Sequence, residues 1–342
     1  MMMNGSIRDG LNFISKLTFA RAWNAARIVA SYLLSRATRK SVHWGNPVSM
    51  SIEPTTSCNL RCPECPSGLR SFTRPTGMLN QSLFQQIIEE QRNTLAYLLF
   101  YFQGEPYLHP EFLDLVSVAA KKGIYTATST NAHYLNDENA RKTVESGLDR
   151  LIISIDGTTQ ETYSAYRVGG KLQKVIDGTK NIVKWKRELA SATPYIIFQF
   201  LVVQPNEHQI EEVRQLGKEL GVDDVWFKTA QIYDYEHGSP LIPKDEQYSR
   251  YTRCADGTYR IKSKLLNHCW KMWHSCVVTW DGRVVPCCFD KDAHYTLGTI
   301  NGVGLNAIWK SPEYDQFRKT LLKSRSEIEM CKNCTEGTTV WA

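Results

Sequence analysis

The stretch CNLRCPECPSGLR, residues 58–70, sets Cys58, Cys62 and Cys65 within eight positions. Thiols grouped this closely, in a chain that opens without a signal-peptide pattern, point to metal ligation in a reducing, cytoplasmic setting. A closed zinc site takes four ligands. After Cys65 the next histidine is His109 and the next cysteine Cys254, so a zinc knuckle lacks its fourth group nearby. Three thiolates from one loop instead suit one face of a [4Fe–4S] cubane and leave one iron without a protein ligand. Such a vacancy is useful only if another molecule binds there.

The segments that must position this loop alternate regularly. Short β-branched or aromatic runs fall at 48–54, 97–103, 124–130, 151–156, 196–203 and 224–230, the pattern of strands buried on both faces. Between them lie helix-like stretches, with Asn80, Pro110 and Asn136 as starts and Gly123, Gly147 and Gly221 as stops. Six βα units predict an α/β fold: a partial (β/α)6 TIM-like barrel with its chemistry at the C-terminal strand ends. Beyond residue 231 the period is lost. CVVTWDGRVVPCCFD reads as a hairpin turning at Asp281-Gly282, NAIWKSPEYDQFRKTLLKS as a helix, and CKNC follows. This divides the chain into a basic helical segment (1–46), a core domain (47–230), a connector (231–264) and a small C-terminal α+β domain (265–342).

The Cys58-x3-Cys62-x2-Cys65 loop after a first strand resembles the signature of the radical S-adenosylmethionine superfamily. The resemblance implies that the cofactor chelates the open iron. One-electron reduction then releases a 5′-deoxyadenosyl radical that takes a hydrogen atom from the substrate. Glu64 stands where the family usually has an aromatic residue. At the second strand end Gln103, Gly104, Glu105 and Pro106 resemble the family's GGEP motif, which receives the methionine ammonium. At the third, Ser129, Thr130 and Asn131 fall where relatives hold the ribose. At the fourth come Ser154, Asp156 and then Arg167, which the resemblance pairs with the cofactor carboxylate.

Further along, Cys269-x12-Gly282-x4-Cys287 resembles the opening of the SPASM domain, an auxiliary iron–sulfur module. Only Cys331 and Cys334 of its later cysteines are present, which implies the shortened twitch form with one auxiliary [4Fe–4S] cluster on Cys269, Cys287, Cys331 and Cys334. Four-thiolate zinc is the chemical alternative. A fully ligated cluster serves best as an electron acceptor. The resemblance therefore implies a dehydrogenase-type oxidation of a small molecule such as a sugar or aminocyclitol, with flavodoxin or ferredoxin as donor. Peptide modification and an iron–sulfur electron carrier without radical chemistry are the alternatives. No general base stands out among His109, His133, His237, Asp234 and Asp290.

Net charge is +6, and residues 1–46 hold seven Lys/Arg against Asp9 alone, so the remaining chain is nearly neutral. That balance argues against a nucleic-acid-binding body. The basic stretch 11–40 reads as helix, too interrupted by charge to span a bilayer. It is expected either to pack against the domain edge or to lie at an anionic membrane surface.

Overall fold

The computed structural model describes residues 5–340. In chain order the helices α1 (Gly5–Ser15) and α2 (Phe19–Thr38) precede β1 (Ser49–Ile52). Then follow α3 (Pro66–Leu69), α4 (Gln81–Gln91), β2 (Tyr97–Leu99), α5 (Phe112–Lys121) and β3 (Tyr125–Thr130). Next come α6 (Asp137–Glu145), β4 (Arg150–Ser154), α7 (Gln160–Tyr166), α8 (Leu172–Glu188), β5 (Tyr195–Val202), α9 (Ile210–Leu220) and β6 (Asp224–Thr229). The rest comprises β7 (Tyr251–Arg253), β8 (Tyr259–Ile261), α10 (Lys271–His274), β9 (Ser275–Val278), β10 (Arg283–Val285), β11 (Gly298–Thr299), α11 (Leu305–Trp309), α12 (Pro312–Ser324) and α13 (Glu329–Lys332).

All six expected strands form, and β1 to β6 pair in parallel in sequence order. The sheet does not stop there. Strand β9 pairs in parallel with β1, Met50 opposite Cys276, and β10 and β11 extend it antiparallel into nine strands. The small domain is thus built onto the open edge of the partial barrel. Alternate residues divide by face. Met50, Leu98, Ile153 and Phe198 pack toward the helices in the main core, while Ile152, Tyr195, Ile197 and Trp226 form a separate inner cluster.

Local chemistry sets the element ends. Asn80 and Asn136 cap α4 and α6 through side-chain oxygens, and Gly221 closes α9 at φ +77°. Two expected single helices are broken in the structure. Thr18 caps a new helix at Phe19, and Ser311-Pro312 separates α11 from α12, with Ser311 accepting from the Tyr314 N–H. The connector is not featureless, since β7 and β8 pair antiparallel within it.

The basic N-terminal segment packs against the barrel. Asp9 of α1 is buried and accepts from Tyr125 and Arg150 at the N-terminal ends of β3 and β4. Asn12 and Lys16 hold Asp149. Arg21 donates to the carbonyls of Arg92 (2.8 Å), Lys122 (2.9 Å) and Gly123, so its charge sits where α4 and α5 end. Tyr32 ties α2 to the small domain, hydrogen-bonding His268 (2.9 Å) and meeting Trp270 and Trp273 edge-on.

Candidate active site

The cysteine loop leaves β1 at Glu53, a buried carboxylate held by both terminal nitrogens of Arg74 at 2.6 and 2.8 Å. Its chain then runs beside residues 72–79, where Thr56 and Gly77 exchange hydrogen bonds. The motifs read from successive strand ends meet at this loop. The Glu105 N–H donates to Ser57 O (2.8 Å), and the Gly104 N–H donates to Ser67 Oγ (2.9 Å). Asn131 donates to Asn59 Oδ1 (2.8 Å), and the Arg61 N–H donates to Val168 O (2.9 Å). Two glycines are required by close approach. A Cβ on Gly104, at φ +75°, would stand 2.2 Å from Thr55 O, and one on Gly68 would stand 2.6 Å from Cys62 N.

Cys58, Cys62 and Cys65 all pack on one apolar cluster that includes Leu60, Tyr166 and Val203. Burial pushes the Cys58 thiol up to about 12 and raises Cys62, the latter opposed by Arg167. Loading a cluster therefore requires these thiols to lose protons. Arg167 pairs with buried Asp156, and its Nη1 lies 3.8 Å from Cys62 Sγ. Asp156 also accepts from the Leu201 N–H (2.7 Å), so β4, β5 and the segment after α7 fix the guanidinium beside the loop. Burial lifts Glu105 to about 7, against hydrogen bonds from the Asn131 N–H (2.8 Å), Thr130 hydroxyl (2.6 Å) and Tyr107 N–H (3.3 Å). Ser154 is buried at the end of β4 opposite Gln199, and Ser129 is half-buried opposite Ile152 in β3. Gln103 lies 3.9 Å from Cys65 Sγ. Pro106 starts the turn that Glu105 caps. Glu64 accepts from the Tyr233 N–H (3.0 Å), which joins the cysteine loop to the connector.

The second group also converges. Cys269, Cys287, Cys331 and Cys334 line one small pocket with Met272, Phe289, Leu321, Met330 and the charged Lys271, Arg325 and Glu336. The buried Arg325 donates to Cys334 Sγ (3.2 Å), Glu336 O (2.7 Å) and His268 O (3.3 Å). A Cβ on Gly337 would fall 2.4 Å from Cys269 Sγ. The remaining cysteines do not line this pocket, although Cys288 hydrogen-bonds its neighbour Cys287. Cys276 is buried in β9, Cys254 bonds across the β7–β8 turn, and Cys288 is exposed. Among the described residues no three His, Cys, Asp or Glu side chains converge on a single metal ion. A cubane binds its ligands at separate corners and needs no such convergence. Soft thiolate donors, three and four to a site, suit iron–sulfur clusters.

The stretches that carry the two groups approach each other. Lys291, four residues beyond Cys287, stands over the Tyr233 ring at 4.8 Å and feels both Cys65 and Cys288. Tyr101, at the end of β2, feels Cys288, Glu336 and Lys271. Three of the five acid–base candidates have structural duties. His109 bonds Leu79 O, and His133 engages both ring nitrogens with Asn131 O and the Lys171 N–H. Asp290 accepts from the N–H groups of His294 and Tyr295, and His237 and Asp234 form an exposed surface pair. Sequence reasoning missed Arg74, Asn59, Ser67, Arg325 and Gly337. Only Asn59, inside the cysteine motif, carried a positional signal.

Comparison with known proteins finds two family domains in the chain. The radical SAM superfamily model matches residues 52–223, just over half of the chain, and the SPASM iron–sulfur cluster-binding domain matches 269–335. A tungsten-containing aldehyde ferredoxin oxidoreductase cofactor-modifying protein of Pyrococcus furiosus is 26% identical, covering 78% of this chain and 82% of the relative. The PqqA peptide cyclase of Gluconobacter oxydans is 24% identical, covering 86% and 84%. Among solved structures, BtrN in complex with AdoMet and 2-DOIA shares the fold at TM-score 0.53 and 17% identity, covering 86% of this chain and 95% of that one.

Proposed function

The chain belongs to the radical SAM superfamily and carries a SPASM iron–sulfur domain, and from that premise we propose that it is an oxidoreductase removing two electrons from a small organic substrate such as a sugar or aminocyclitol. It uses a [4Fe–4S] cluster with S-adenosylmethionine and an auxiliary iron–sulfur cluster. Together these groups supply a 5′-deoxyadenosyl radical that takes one hydrogen atom, and an acceptor for the electron that leaves the substrate radical as its proton departs.

The chain's own residues have distinct tasks in this reading. Cys58, Cys62 and Cys65 hold one cluster and leave a vacancy. Gly104 lets the β2 loop approach Thr55 closely enough for Gln103, Glu105 and Pro106 to face that vacancy. Asn131, Ser129 and Ser154 offer polar groups from β3 and β4 for the cofactor's sugar. Arg167, held charged by Asp156 although burial opposes it, offers a guanidinium to a carboxylate. Cys269, Cys287, Cys331 and Cys334 complete the second site with no position left open. The pocket lined by these four cysteines is the observation that supports the oxidoreductase reading. The substrate lies between the two sites, beside Tyr101, Tyr233 and Lys291. A one-electron donor of the flavodoxin or ferredoxin class reduces the first cluster.

Peptide modification is the second reading, supported by the likeness to the PqqA peptide cyclase over most of both chains. The test is anaerobic turnover with deuterated candidate substrates. Cys58→Ala should form no 5′-deoxyadenosine. Cys331→Ser should still form it but yield no oxidised product. A product at the same oxidation level, or unchanged oxidation by Cys331→Ser, refutes the proposal, and a cross-linked peptide establishes the second reading.

A further inference from the structure

Large apolar side chains left on the surface are unevenly placed. Among the described residues, nine of the seventeen exposed ones belong to the first 46 positions. On α1, Ile7, Leu11 and Ile14 recur at helical spacing on the face opposite Asp9 and Phe13. Leu17 continues the stripe through the turn, and Phe19 (86% exposed) and Trp23 (60% exposed) begin α2. The opposite side of α2, with Arg21, Asn24, Ile28, Ser31, Tyr32 and Ser35, is buried against the body. These helices are therefore already packed on one side and carry a second apolar stripe that the fold does not use.

Arg8 and Lys16 pair with Asp223 and Asp149 of the body, and the charge of the segment left unpaired has one sign. Arg27, Arg36, Arg39 and Lys40 are exposed and take part in no ion pair among the described residues. The only acid of the segment, Asp9, is buried against Tyr125 and Arg150. A second copy docking through the same face about a two-fold axis would bring like charges together with no unpaired carboxylate of the segment to offset them. An anionic bilayer surface instead matches both properties, apolar side chains entering the acyl boundary and guanidinium and ammonium groups meeting headgroup phosphates. No described helix is long and apolar enough to cross a membrane.

We propose that the α1–α2 hairpin is a peripheral docking face for an anionic membrane surface. Because α1 closes the N-terminal ends of β3 and β4, docking turns the cysteine loops and the barrel mouth away from the bilayer. The enzyme would meet its substrate from the aqueous side.

The test is flotation of the full, cluster-loaded chain with vesicles of phosphatidylcholine alone or mixed with phosphatidylglycerol. The expected result is flotation with the anionic vesicles only, reversed by added salt. Phe19→Ser combined with Trp23→Ser should lower partitioning about 10-fold. Replacing Arg27, Arg36, Arg39 and Lys40 by Gln should lower it on the order of 1000-fold. Both variants should still form 5′-deoxyadenosine, which shows that they fold. Failure of the wild type to float at low salt, or equal flotation of the Phe19/Trp23 variant, overturns the proposal. A wild-type dimer that this variant converts to monomer overturns it too, and assigns the face to a second copy.

Discussion

Replacing Gly104 by Ala tests the geometry that joins the β2 end to the cysteine loop. The added Cβ would stand 2.2 Å from Thr55 O and 2.8 Å from Ser57 O, both backbone atoms in the three residues before Cys58. Ordinary carbon–oxygen contact needs about 1 Å more than the shorter of these, so one segment must shift by that amount. Two costs add: about 1–2 kcal/mol for a non-glycine residue at φ +75°, and about 1–3 kcal/mol for the overpacked contact. Gly257 supplies an internal control, since its φ is +88° and nothing lies within 4 Å of its added Cβ. Gly257→Ala should therefore carry the backbone cost alone. Chemical denaturation under anaerobic conditions should place Gly104→Ala lower in stability than Gly257→Ala by the contact term. A shift of about 1 Å beside the reacting centre should also slow 5′-deoxyadenosine formation on the order of 100-fold, with Gly257→Ala unchanged. Equal stabilities and equal rates for the two variants would refute the close approach.

Glu105 collects three hydrogen bonds, so its two truncations should differ. Glu105→Gln can turn its oxygen to the Asn131 N–H and its amide to the Thr130 hydroxyl, losing only the long Tyr107 contact, and should cost about 1 kcal/mol by denaturation. Glu105→Ala strands all three donors and should cost several-fold more, and equal losses would contradict the assigned partners. Arg325→Leu removes the donor to Cys334 Sγ and to two carbonyls. Iron should fall from about eight to about four atoms per chain while 5′-deoxyadenosine still forms, and retention of all the iron would show that Arg325 does not support the site. Burial holds His43 down at about 3, with only Trp273 O as a partner for its ring nitrogens. Its folded pKa is depressed, so its stabilisation is present above the unfolded value near 6.5 and lost as pH falls toward the folded value. Between pH 6.5 and 5 the stability of the wild type relative to His43→Gln should drop by about 2 kcal/mol, and a pH-independent difference would exclude this titration.

The strand runs were legible because a parallel sheet buried on both faces demands continuous apolar segments, and those segments are local. The cysteine loop was legible for the same reason, with all three thiols inside a single turn of chain. The breaks at Thr18 and Ser311-Pro312 were equally local, written in cap chemistry that a helix-period reading passes over. Glu64, conspicuous only as a departure from a motif, acquired a partner once the connector's Tyr233 was placed beside it.

The sequence by itself determined the kind of chemistry. Three thiolates at that spacing define an open cluster site, and the order of the strand-end motifs defines a βα barrel around it. The resemblance to the SPASM domain had already singled out Cys269, Cys287, Cys331 and Cys334, and tertiary structure decided the pocket that they share. Tertiary structure also decided that the small domain continues the barrel's own sheet through β9. Arg74 on Glu53, Arg21 on three helix-end carbonyls and Gly337 against Cys269 belong with these. Each joins residues far apart in the chain through one guanidinium or one missing Cβ, and such a contact leaves no period in the sequence. It exists only when the packed elements bring its two halves together.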